Sequence, residues 1–106
     1  MRVDHIVVYT TTGSETEAEK IAEALVSEKL AACVQYMKIN SVYRWQDKIN
    51  KDVEFLLILK TKKRLYKAVE KRIRELHSYE CPEIIATPIA EGSKSYLNWI
   101  NENTKN

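Results

Sequence analysis

The chain has 106 residues, the length of one domain with a modest core. Its 17 basic and 15 acidic residues leave a formal charge of +2, without the one-sided basic excess that nucleic-acid binding requires. No apolar run approaches the roughly eighteen residues of a membrane span, so neither nucleic acid nor membrane is an expected partner.

Residues 3–12, rich in Val, Ile, Tyr and Thr, predict a first strand. Asp4 breaks its apolar character, which argues against a signal peptide. Gly13 and Ser14 end the strand, and Ser14 with Glu17 forms a capping box. The helix that follows has its apolar stripe on Ala18, Ile21, Ala22 and Leu25.

Residues 31–45 alternate with period two, an unusual length for one strand. One face carries Ala31, Cys33, Gln35, Met37, Ile39, Ser41, Tyr43 and Trp45. A polar loop is predicted over 46–52, then a nearly continuous apolar strand from Val53 to Leu59. Within it Glu54 and Lys60 point to the same face at opposite ends.

A second helix over about 62–77 buries Leu65, Val69, Ile73 and Leu76. The basic cluster Lys60, Lys62, Lys63, Arg64 and Lys67 reads as a solvated face near its start. The stretch from Leu76 to Ile85 then crowds His77, Tyr79, Glu80, Cys81 and Glu83 into one turn. Pro82 disfavours helical geometry at Cys81, so the helix must stop earlier. A strand over 84–89 and a short helix around 96–100 complete the chain.

The order β-α-β-β-α-β plus a terminal helix is the ferredoxin-like split βαβ pattern: α+β, an antiparallel sheet, helices on one face. Fifteen residues of strand reach roughly 50 Å, whereas a sixteen-residue helix covers about 24 Å. The β2–β3 hairpin should therefore overhang its domain, and an exposed apolar edge of that kind calls for another subunit. A bulge near Asn40 and Ser41 would instead fold the tip back.

Two cysteines, Cys33 and Cys81, lie far apart without a C-x-x-C pair; reduced thiols and a cytoplasmic location are expected. Cys33, His5, His77 and Cys81 offer metal donors, but none at zinc-finger, zincin or EF-hand spacing. A thiolate at Cys33 with nitrogen or oxygen ligands would suit copper. There is no nucleophile elbow, P-loop or dinucleotide fingerprint, so an enzyme is not expected.

Several stretches carry a family resemblance over about residues 6–100. They are Leu30-Ala31-Ala32-Cys33-Val34, Ser41-Val42-Tyr43-Arg44-Trp45-Gln46-Asp47-Lys48-Ile49, Glu54 with Leu59-Lys60-Thr61, His77-x-Tyr79-x-x-Pro82-Glu83-Ile84, and Tyr96-Leu97-x-Trp99. In this order the chain resembles the CutA divalent-ion-tolerance family, as a single domain over 1–106. The resemblance implies a ferredoxin-like fold, a homotrimer similar to the P-II trimers, binding of copper(II) or another divalent ion, and no enzymatic activity. It implies Cys33 as the leading metal ligand, and His77 is its candidate companion. It places Tyr43, Trp45, Glu54, Lys60, His77, Tyr79, Pro82 and Glu83 at the subunit junction. Three departures stand out: Gln35 where Asn is common, Asp47 where Gly is common, and Ser78 where Pro often follows the His. Ser78 should loosen the turn after His77, and Cys81 acquires no role. The alternative is a P-II-like sensor or scaffold holding a small anion or a partner protein around Lys60, His77 and Tyr79.

Overall fold

The computed structural model describes residues 2–106. Strand β1 (His5–Thr12) runs into helix α1 (Glu15–Ser27), where Ser14 Oγ accepts the Glu17 N–H at 3.2 Å and caps the first turn. Glu15 and Glu17 sit in that turn, against the positive end of the helix dipole. The buried stripe is Ala18, Ile21, Ala22 and Leu25, as the spacing predicts. After α1 the chain turns back through Lys29 (φ 59°), and the Leu30 N–H closes on the Leu25 carbonyl at 2.9 Å.

Strands β2 (Cys33–Trp45) and β3 (Lys48–Lys62) form one uninterrupted hairpin. Its register holds from Cys33 opposite Lys60 to Trp45 opposite Lys48, with no bulge at Asn40 or Ser41. The connection is two residues, Gln46 and Asp47, both with left-handed φ (50° and 61°), as a primed hairpin turn requires. The polar loop predicted over 46–52 is therefore strand from Lys48 onward. Two of its polar side chains find partners: Asn50 Nδ2 donates to the Trp45 carbonyl across the hairpin and to the Lys48 carbonyl of its own strand, and Asp52 accepts from the Tyr43 hydroxyl across the ladder.

A single 3₁₀ turn over Lys63–Leu65 leads into α2 (Tyr66–Leu76), which is shorter than the predicted 62–77 because Lys62 remains in β3. β4 (Ile84–Pro88) and α3 (Lys94–Glu102) follow. The sheet order is β2-β3-β1-β4 with every neighbour antiparallel, the ferredoxin-like arrangement. One core joins Ile6 and Val8 of β1, Leu57 and Leu59 of β3, Ile21 and Leu25 of α1, and Val69 and Ile73 of α2. The alternate residues of each strand, among them Val7, Tyr9, Cys33, Leu56 and Ile58, face away from α1 and α2. At one end of that second face α3 crosses, and Asn101 Oδ1 meets His5 Nε2 at 2.8 Å.

Strand β1 stops at Thr12, opposite Phe55, so residues 39–54 of the hairpin extend past it. The longest dimension is 44 Å. Both faces of this extension carry exposed apolar side chains: Tyr43 and Trp45 on one, Val42, Ile49 and Val53 on the other. Lys62 corrects another expectation. It is buried, not solvated, and its ammonium reaches the carbonyl oxygens of Lys105 (2.9 Å) and Thr104 (3.5 Å) beyond α3.

Candidate functional site

The turn after α2 is tied to three other elements. His77, its C-cap residue, has a fully buried side chain. Its Nε2 lies 2.6 Å from the Thr11 carbonyl, to which it donates, and its Nδ1 accepts the Tyr79 N–H at 3.0 Å. Both ring nitrogens are thereby engaged, so in this conformation His77 offers no lone pair to a metal. That removes the physical basis for pairing it with Cys33 as a ligand. Glu17 Oε1 stands 3.6 Å from the same Nδ1 and accepts from Ser78 Oγ at 3.1 Å. Ser78 fastens the turn to α1 where a loosened turn was expected.

Tyr79 stacks obliquely on His77, with ring centroids 4.8 Å apart, and its hydroxyl donates to Glu54 Oε2 at 2.9 Å. Burial, then the hydrogen bond and charge of Glu54, push the phenol well above its ordinary pKa. Gly13 leaves the space for this hydroxyl, since a Cβ there would stand 3.0 Å from it. Glu54 is itself buried, and it meets Tyr79 of its own chain. Tyr43 bonds Asp52 diagonally on the same strand pair, which raises its pKa.

Cys33 and Lys60 occupy the other end. Cys33 is a half-buried free thiol at the start of β2, directly opposite Lys60, whose ammonium bonds Gln35 Oε1. Tyr96 of α3 lies close enough that burial, and then the Cys33 charge, raise its pKa. Lys60 and Leu56, the β3 residues beside Cys33 and Thr11, are four positions apart, about 13 Å along the strand. The candidate residues thus fall into two groups: Cys33 with Lys60, and Glu54 with His77, Tyr79 and Tyr43. Trp45 sits at the exposed hairpin tip, while Pro82 is buried and Glu83 exposed beside the start of β4. Among the described residues no three His, Cys, Asp or Glu side chains are grouped to hold a metal ion.

Thr11, Glu17 and Asp52 belong to the observed network, though nothing local in the sequence marks them. Glu17 reads as a capping residue and Asp52 as loop; only the sheet register reveals their partners.

Comparison with known proteins gives this arrangement a lineage. The family model described as "CutA1 divalent ion tolerance protein" matches residues 6–103. The chain belongs to the CutA1 divalent ion tolerance family. Within that family, the Thermus thermophilus "Divalent-cation tolerance protein CutA" is 48% identical over 99 residues, covering 92% of this chain and 96% of the relative. "Protein CutA, chloroplastic" of Arabidopsis thaliana is 43% identical, and the chain spans 58% of its length. The solved CutA1 from a psychrotrophic Shewanella superposes with a TM-score of 0.96 at 37% identity, over the full length of both chains. The ferredoxin-like CutA1 fold and the link to divalent cations are family properties; the residues that would contact an ion in this chain are a separate matter.

Proposed function

We propose that the chain works as a cytoplasmic homotrimer that binds copper(II), or a similar divalent ion, without catalysing a reaction. The observation that carries this reading is the pair of exposed apolar faces on the overhanging hairpin. A surface of that kind is stable in water when other copies cover it. Assembly also bears on the metal. Among the described residues Cys33 is the one cysteine within the sheet, the exposed Met37 thioether lies four positions along β2 on the same face, and Lys60 beside Cys33 is a cation, so one chain supplies a single thiolate there and an incomplete donor set. Ligands from adjoining subunits would complete it.

Cys33 and His77 lie at opposite ends of the sheet face, which gives a thiol–imidazole nucleophile no support within the chain. An anion held jointly by Lys60, His77 and Tyr79 is disfavoured by the same separation.

Native mass spectrometry of metal-stripped protein, titrated with Cu(II), tests both halves of the reading. A trimer taking up one copper per subunit, with uptake lost in Cys33→Ala, is the expected result. A trimer that stays metal-free at micromolar copper overturns the metal assignment, and a monomeric mass overturns the assembly.

A further inference from the structure

At the α3 end of the open sheet face, away from the Glu54–Tyr79 group, a groove of about 610 Å³ runs between the start of β1, the end of β3 and α3. Arg2, Lys62, Lys63 and Arg64 line it against the single carboxylate of Asp4. This one groove therefore carries more net positive charge than the whole chain, whose formal charge is +2. His5 adds an imidazole whose Nε2 is held by Asn101.

The charge is poorly neutralised from within. Lys62 Nζ and Arg64 Nη2 converge on one neutral acceptor, the Lys105 carbonyl oxygen, at 2.9 and 3.1 Å. Among the described residues neither makes an ion pair with a carboxylate, and Lys63 makes none either. Asp4 is already engaged by Arg2 at 2.9 Å. Burial, and then the neighbouring Arg64, lower the pKa of Lys62. Two cations sharing one carbonyl retain donors for a further acceptor, because a guanidinium has five N–H groups and an ammonium three. A multivalent oxyanion would relieve the repulsion and satisfy those donors with charge-assisted bonds.

We propose that the groove bounded by Arg2, His5, Lys62, Lys63 and Arg64 is a binding site for a phosphate-type oxyanion, either free inorganic phosphate or a phosphorylated small molecule. Lys63 and Arg64 are exposed and provide the reaching contacts, while Lys62 forms the fixed charge at the floor. The site needs neither a glycine-rich loop nor a helix N-terminus, which is why phosphate-binding sequence motifs do not mark it.

The test uses the full chain with inorganic phosphate and pyrophosphate as probes, at ionic strength matched by chloride. Phosphate stabilises many proteins by exclusion from their surfaces, so the variant comparison decides. Thermal unfolding and isothermal titration calorimetry are run on wild type, on Lys63→Gln with Arg64→Gln, and on Lys67→Gln as a basic control on α2. Expected are a saturable heat, an increase in Tm of about 3 °C over the chloride reference, loss of both in the double variant, and retention in Lys67→Gln. Pyrophosphate binding more tightly than phosphate would point to a phosphorylated small molecule, and equal affinity to the free ion. No saturable heat, or an equal Tm response in the double variant, overturns the proposal. So does a double variant whose native mass falls while its phosphate response persists, since the groove would then be a contact between subunits.

Discussion

The Tyr79 hydroxyl donates to the buried carboxylate of Glu54 at 2.9 Å, joining the turn after α2 to the first residue of β3 beyond the reach of β1. Removing the donor leaves a buried anionic acceptor without this partner. Tyr79→Phe should therefore cost about 1–3 kcal/mol of stability. Urea unfolding should show a lower midpoint with an unchanged slope.

The same hydroxyl sets an alkaline limit. Tyr79 is raised by burial and by Glu54, Tyr43 by its bond to Asp52, and Tyr66 and Tyr96 chiefly by burial. The native chain holds these protons where the unfolded chain releases them, so stability is intact below about pH 10 and falls as pH rises above it. Lys62, lowered by burial, acts in the opposite sense below the ordinary lysine value. Unfolding midpoints measured from pH 8 to 11.5 should decline, and Tyr79→Phe should flatten the decline. An equal slope in the variant would exclude Tyr79 as a contributor.

Asp47 holds φ 61° in the hairpin turn, where glycine carries no Cβ penalty. Asp47→Gly should stabilise the chain by about 0.5–1 kcal/mol. A lower Tm in that variant would mean that the Asp side chain has a role at the turn beyond its backbone.

Thr10 and Thr61 make a matched pair. Both are buried, but Thr61 Oγ1 donates to the Leu30 carbonyl at 2.6 Å, while Thr10 Oγ1 has no partner among the described residues. Thr10→Val should be neutral or stabilising by up to about 1 kcal/mol, and Thr61→Val should destabilise by about 1–2 kcal/mol. Chemical denaturation of the two variants side by side gives the answer; equal losses would show that Thr10 has an acceptor after all.

Trp45, 55% exposed at the hairpin tip, is the natural anchor for a covering subunit. Trp45→Ala should weaken assembly by about 2 kcal/mol per contact, so that sedimentation detects dissociation at concentrations where wild type stays intact. Indistinguishable dilution curves would place the anchor elsewhere on the hairpin.

Much of the fold was legible because its signals are local. Ser14 and Glu17 announce α1 within four residues, and the apolar stripes of α1 and α2 match their buried faces. The strand from Lys48 to Asp52 carries the polar composition of a loop, and the partners of Asn50 and Asp52 become apparent only with the register. The candidate site was legible as a set of residues and not as an arrangement. His77 finds Thr11 across most of the chain, and its second nitrogen is capped by a backbone N–H that any residue at position 79 except proline would supply. The burial of Lys62 depends on where the chain beyond α3 comes to rest, which no periodicity near Lys62 encodes.

The unbroken β2–β3 ladder also orders events in time. Its two-residue turn brings Trp45 and Lys48 together at once, and each further pair closes only a slightly larger loop. Joining β1 to β4, where Ile6 meets Pro88, closes nearly the whole chain. Hairpins form in about 1–10 μs, whereas distant pairings wait on loop-closure entropy. The chain should thus zip from the tip of its overhang inward, laying down first the ribbon that its own core never covers, and the core condenses onto that ribbon's base.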